Sequence, residues 1–214
     1  MDTSAFLDTL PRGRHRLTRE EVVASQRGRL LLGMAEAVAE KGYIRTSVAE
    51  VLKRVHVSRE TFYEHFADKE ACFLAAFDKA GELLEAGVRE AAGTPDLPAM
   101  ERFDRALTAY LDLMAREPAL AKMFLTEIYA AGPAAADRRF EVQRRWVNLF
   151  TDILTADEGW RTLPDPRFAC NLVVGGVGAM VTARVAVDGH ASLPALREPV
   201  LALIQSVLDR RSGH

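Results

Sequence analysis

Thr46-Ser47-Val48-Ala49-Glu50-Val51-Leu52-Lys53-Arg54-Val55-His56-Val57-Ser58-Arg59-Glu60-Thr61-Phe62-Tyr63-Glu64-His65-Phe66-Ala67-Asp68-Lys69-Glu70 is the stretch that decides the fold. It reads as two short helices joined by a tight turn, followed by the start of a third. Ser47-x-x-Glu50 is a capping box, and Val48, Val51, Leu52 and Val55 give the helix behind it one apolar face. His56 and Val57 form the turn, and Ser58 caps a second helix that runs to about Phe66. Phe62 and Phe66 lie four residues apart, so they share a face and pack inward on Val51 and Val55. Arg59, Glu60, Thr61, Tyr63, Glu64 and His65 are left on the other faces. A helix with that equipment can lie in a DNA major groove.

Working outward, Thr18-x-x-Glu21 opens an earlier helix, with Leu31, Met34, Ala35 and Val38 at helical spacing and Gly42 as its stop. Pro11 to Arg16 is a basic arm. Asp68 caps a long helix from Lys69 to about Ala92, which Gly93-Thr94-Pro95-Asp96 ends. Further helices read as about 97–116, 119–130, 134–156, 166–188 and 194–210. They are separated at Glu117-Pro118, Gly132-Pro133, Leu163-Pro164-Asp165-Pro166 and Asp188-Gly189. Strand alternation and internal repeats are absent from the pattern. The fold class is all-α, with a basic arm at 1–17, a three-helix helix-turn-helix domain at 18–67 and a helical domain at 68–214.

Charge supports the same division. From Arg12 to Phe66 eleven Arg or Lys outnumber seven Glu, although the whole chain carries a formal charge of −2. A basic head on a near-neutral body suits a DNA-binding domain joined to a domain of another kind. Cys72 and Cys170 are far apart and in no metal-ligand spacing, so they read as two buried free thiols in a reducing cytoplasm. The N-terminus lacks a signal-peptide pattern, and no uninterrupted apolar run reaches membrane-spanning length. The most apolar segment, Leu172 to Val187, is interrupted by Arg184 and several glycines.

Within the opening stretch, Arg59 begins the second helix and can offer its guanidinium to guanine or phosphate, while Thr61 can reach a base edge or a thymine methyl. Tyr63 and His65 carry donors suited to phosphate oxygens. Lys69, at a helix N-terminus, and Thr46, at the mouth of the first short helix, are further phosphate candidates. Taken singly, Thr46 and Ser58 are ordinary caps and Tyr63 is a surface aromatic; the constellation carries the reading. Glu60 and Glu64 repel phosphate, which points them to cytosine N4, to neighbouring Arg or to solvent.

The segment 27–77 resembles the N-terminal domain of the TetR family of transcriptional repressors. The residues behind the resemblance are Gly42-Tyr43, Thr46-Ser47-Val48, Val51, Val57-Ser58, Thr61-Phe62-Tyr63-Glu64-His65-Phe66 and Asp68-Lys69-Glu70. It implies phosphate contacts at Thr46, Tyr63, His65 and Lys69, and base-facing positions at Arg59, Glu60 and Thr61, with Ser58 at the helix start beside them. Three departures stand out. Leu52 and Val55 replace the usual alanines, which predicts a slightly wider helix pair. His56 replaces the usual turn glycine, at a cost of about 1 kcal/mol for the left-handed conformation. Arg59-Glu60 replaces a smaller pair, which bears on base choice. The arm Pro11-Arg12-Gly13-Arg14 is similar to an AT-hook core, so Arg12 and Arg14 are candidates for a narrow A·T-rich minor groove.

The resemblance further implies a helical ligand-binding and dimerisation domain, with the last two long helices of each subunit forming the dimer interface. Gly175, Gly176 and Gly178 in the segment 166–188 weaken an isolated helix, so close helix approach is expected there. Val200, Leu203, Ile204, Val207 and Leu208 repeat at helical spacing in the last helix. Aromatic and polar groups in the middle helices can line a small-molecule cavity, and Tyr110, Phe124, Glu127, Trp146 and Phe150 are the candidates. Their character suits a lipophilic effector such as a drug, an acyl chain or a polyketide-like compound. No phosphate loop, nucleophile elbow or metal spacing appears, so neither catalysis, a cofactor nor a metal is expected. The expectation is a cytoplasmic, ligand-responsive dimeric repressor that binds a palindromic operator in double-stranded DNA, does not associate with membranes and is released by a lipophilic effector. The effector would change the spacing of the two reading helices, and the helix from Lys69 to about Ala92 would carry that shift. An activator or an architectural DNA-binding protein without an effector site is the alternative.

Overall fold

The computed structural model describes residues 19–212, with side chains described over 23–208. The expected basic arm, with Arg12 and Arg14, and the Thr18-x-x-Glu21 cap lie outside the described residues. The described chain is helical, and no strand occurs in it. The helices are α1 (Arg19–Lys41), α2 (Val48–Val55), α3 (Arg59–His65), α4 (Lys69–Ala92), α5 (Ala99–Arg116), α6 (Pro118–Leu125), α7 (Pro133–Leu154), α8 (Glu158–Arg161), α9 (Pro166–Ala186) and α10 (Arg197–Ser212). Short 3-10 turns occur at Glu127–Ala131, His190–Ser192 and Pro194–Leu196.

Two compact units emerge. Among the described residues, the first comprises 19–83 together with Ala119–Arg138; the second comprises Leu84–Pro118 and 139–212. The division therefore does not follow the expected boundary after residue 67. Side-chain packing explains why residues 119–138 join the N-terminal helices: Phe124 stacks on Phe77 at 4.6 Å with an interplanar angle of 15°. Ile128, four residues after Phe124, is fully buried.

The first unit is built on buried Leu30, Leu31, Met34 and Val38 of α1, Val51 of α2, Phe62 of α3 and Phe73 and Phe77 of α4. These are apolar positions at helical spacing, and their burial supplies the main driving force. Val55 lies close against α1, where Gly33 makes room for it. A Cβ at Gly33 would stand 2.4 Å from Val55 Cγ1.

In the second unit, Phe103, Leu107, Leu111 and Met114 form the buried stripe of α5. Arg197 holds Asp104 through Nε at 2.6 Å. The one-turn helix α8 falls outside the sequence reading, being too short to show a period. Asp157 caps it by accepting from Trp160 N at 3.1 Å, and the Trp160 side chain is buried. The buried residues of α9 are Cys170, Val177, Val181 and Val185. Its other side exposes Phe168, Leu172, Gly176, Ala179, Met180 and Ala183, and Val187 at the C-cap is exposed too. By length and composition α9 is long and apolar enough to cross a membrane, despite Arg184 and its glycines, and 22% of its apolar window is buried.

Candidate nucleic-acid interface

Gly42 ends α1 with φ +79°, and its carbonyl turns back to accept from Thr46 Oγ1 at 2.9 Å. Thr46 is consequently 2% exposed, and its hydroxyl hydrogen is committed inside this turn. Ser47 and Glu50 form the anticipated capping box: Ser47 N donates to Glu50 Oε2 at 2.9 Å and Glu50 N donates to Ser47 Oγ at 3.3 Å. Lys41 pairs with Glu50. That ammonium first, and then the Ser47 backbone amide, lower the Glu50 carboxyl to about 2.

His56 closes α2 at φ 52°, ψ 46°, the left-handed cap that a glycine would occupy at less cost. The reading helix follows. Ser58 Oγ accepts from Thr61 N at 3.0 Å and lies 2.9 Å from Thr61 Oγ1, so the two hydroxyls serve each other at the N-terminus. Phe62 is fully buried, and that fixes the roll of α3. Arg59, Glu60, Tyr63 and Glu64 are exposed, Thr61 and His65 half-buried. The Arg59 guanidinium lies over the Tyr63 ring, 5.6 Å from its centroid, with Nη2 3.4 Å from the hydroxyl. Burial, and then the Arg27 cation, lower the His65 pKa, while Glu64 works the other way. The balance favours the neutral imidazole more than in a free histidine.

Asp68 caps α4 by accepting from Ala71 N at 2.8 Å. Lys69, the first residue of α4, turns back: Nζ donates to the Tyr43 carbonyl at 3.0 Å and sits 4.0 Å from the Tyr43 ring centroid. An ammonium has three donors, so this engagement leaves hydrogens for an anion. Arg27 was not foreseen. Its guanidinium lies 4.6 Å over the Phe66 ring, at the C-terminal end of α3. Residues so distant in sequence carry no local signal of that contact.

The effector candidates separate. In the second unit Tyr110 lies 5.9 Å from Trp146, and Trp146 6.1 Å from Phe150, between ring centroids. Burial pushes the Tyr110 hydroxyl up to about 12, partly opposed by Arg139. Phe124 and Glu127 belong to the first unit, where Phe124 stacks on Phe77 and Glu127 Oε2 accepts from Tyr43 N at 2.7 Å. An open cleft of about 450 Å³ in the second unit is lined by Phe140, Arg144, Asp165, Arg167 and Phe168 among others. Cys72 and Cys170 are both free and buried; burial raises the first thiol to about 12 and raises the second as well.

A capped helix-turn-helix whose second helix turns Arg59 and Tyr63 outward defines a DNA-binding protein of the bacterial regulator class. Residues 31–76 match the family model described as bacterial regulatory proteins, tetR family. This helix-turn-helix is a TetR-family DNA-binding domain. It is 26% identical over 145 residues to the HTH-type transcriptional activator FasR of Mycolicibacterium smegmatis, covering 68% of this chain. The matched part is 64% of FasR, so the chain spans less than two-thirds of that relative's length. The fatty acid degradation regulator FadR from Bacillus halodurans shares the fold at a TM-score of 0.72 and 22% identity, over 88% of this chain and 96% of that one. FadR from Bacillus subtilis, solved in complex with stearoyl-CoA, is 26% identical with a TM-score of 0.69, over 82% of this chain and 95% of that one.

Proposed function

We propose that the chain binds a palindromic operator as a homodimer and that a long-chain acyl compound releases it. The observation that carries the DNA-binding part is the exposed pair Arg59 and Tyr63 on a helix rolled into place by buried Phe62. Arg59, Glu60 and Thr61 face the bases; Tyr63, His65 and Lys69 hold phosphates and set register. Thr46 supports the same surface by bracing the turn rather than by reaching DNA. Arg12 and Arg14 add minor-groove contacts.

Dimerisation rests on the outward side of α9. Phe168, Leu172, Gly176, Met180 and Val187 form one apolar stripe, and Leu203 of α10 is 61% exposed. A Cβ at Gly175 or Gly176 would meet nothing within 4 Å, so a second helix can approach closely there. A second copy on α9 and α10 covers this stripe, which also accounts for its membrane-like apolarity in a cytoplasmic regulator.

The acyl class of effector is supported by the stearoyl-CoA complex of the Bacillus subtilis relative and by the aromatic group of Tyr110, Trp146 and Phe150. Binding favours a conformation of the dimer whose two α3 helices no longer match half-sites about one DNA turn apart. Stearoyl-CoA titrated into a protein–operator complex should release the DNA, and operator should weaken stearoyl-CoA binding by the same factor. Equal affinity for stearoyl-CoA with and without operator contradicts the proposal. Repression is the reading when the operator overlaps a promoter. The name of FasR as an activator favours the second reading, in which the bound dimer lies upstream and recruits polymerase.

A further inference from the structure

We infer that Glu127 is a positioning residue for DNA binding, a latch that holds the Gly42–Tyr43 turn and, through it, the Lys69 ammonium. The inference rests on the DNA-binding reading above and adds to it a part played from outside the helix-turn-helix.

The amide of Tyr43 lies just past the end of α1, beyond the helical hydrogen-bond ladder, and the Tyr43 side chain is buried. A part-buried amide without a partner is costly, and the carboxylate of Glu127 supplies one at 2.7 Å, a short charge-assisted bond. The approach depends on Gly42. A Cβ there would stand 3.2 Å from Glu127 Oε2, and the φ of +79° already excludes most side chains. Two adjacent positions thus suit the arrival of one carboxylate from a residue far along the chain.

From Tyr43 the contacts continue towards the reading helix. The Tyr43 ring packs 4.8 Å from Phe73 and lies beneath the Lys69 ammonium at 4.0 Å, while the Tyr43 carbonyl accepts from Lys69 Nζ at 3.0 Å. Lys69 opens α4 directly after Phe66, Ala67 and Asp68, the link from α3. The 3-10 turn that carries Glu127 is itself anchored by buried Ile128 and, just before it, by Phe124 on Phe77. Glu127, Tyr43 and Lys69 therefore form one continuous chain of contacts within the first unit. A change in the 3-10 turn reaches a phosphate-binding group without touching the DNA surface.

Charge and position make opposite predictions, which isolates the latch. Removing a negative charge near a DNA-binding face by itself tightens DNA binding. Loss of the acceptor loosens Tyr43 and Lys69 and weakens it. The variants are Glu127→Gln, which keeps an oxygen at the same reach, Glu127→Asp, which keeps the charge on a shorter stem, and Glu127→Ala. Affinity for a mixed-sequence duplex is measured by fluorescence anisotropy across salt concentrations, and exchange of the Tyr43 amide by NMR. The Ala and Asp variants should bind about tenfold more weakly and exchange Tyr43 faster, while Gln stays within about twofold of the parent. The slope of log affinity against log salt should fall by about one in the Ala variant, one phosphate contact having been lost. An Ala or Asp variant with the parent's affinity and slope overturns the inference, as does a Gln variant weakened as much as Ala. If the parent binds no duplex DNA, the function reading fails instead; unchanged Tyr43 exchange in the Ala and Asp variants would still overturn the latch.

Discussion

His56 carries a left-handed backbone, φ 52° and ψ 46°, where the family pattern has glycine. That conformation was expected from the resemblance, since the glycine it replaces marks a position that needs positive φ. The roles of Arg59 and Tyr63 are separable by substitution. Tyr63→Phe should weaken binding to operator and non-operator duplexes alike, by about 1 kcal/mol, because a phosphate contact carries no sequence information. Arg59→Ala should change the preferred sequence more than the overall affinity, which competition among duplex variants measures. His65 gives a pH prediction. Its pKa is lowered in the fold, by burial first and Arg27 second, so the stability it contributes is present above the ordinary value of 6.5 and lost as pH falls through the folded value. A bound phosphate reverses that shift. NMR titration of His65 should show a higher pKa with DNA than without it, and an unchanged pKa would remove His65 from the interface. Thr46 and Lys69 were visible as polar groups at helix mouths. Their side chains instead turn back to Gly42 and Tyr43, and such reversals depend on tertiary contacts that no local spacing encodes.

At the scale of elements, capping residues made most helix boundaries legible: Ser47, Ser58 and Asp68 all accept the predicted N-cap hydrogen bonds. The grouping of helices was not legible, since α6 and the turn after it join the first unit through the faces of Phe124 and Ile128. Gly33 shows how one element accommodates another. It gives up helix propensity on α1 so that Val55 can lie against the backbone. Gly33→Ala should destabilise the protein by about 1–3 kcal/mol in urea unfolding, and adding Val55→Ala should restore most of the loss. A neutral single variant would show that the helix pair has slack. On α9 the apolar stripe predicts that Leu172→Glu, a change at a 61% exposed position, leaves each chain folded and abolishes the dimer in sedimentation. A dimer that persists would place the interface elsewhere.

At the scale of the molecule, the DNA-binding half was the readable half, because a helix-turn-helix is specified by contiguous residues from Gly42 to Glu70. The effector half is specified by faces that meet from distant segments, so its aromatic residues could be nominated but not sorted. Tyr110, Trp146 and Phe150 gather in one unit, while Phe124 and Glu127 serve the other. In the proposed dimer, two copies presenting α3 by way of a two-fold interface would impose their symmetry on the DNA they select. Selection of bound duplexes from a random-sequence library by the purified protein tests this most directly. The account predicts an inverted repeat whose half-sites are centred about one helical turn, or a multiple of it, apart. Recovered duplexes with no shared motif, or with a single unrepeated half-site, would contradict it.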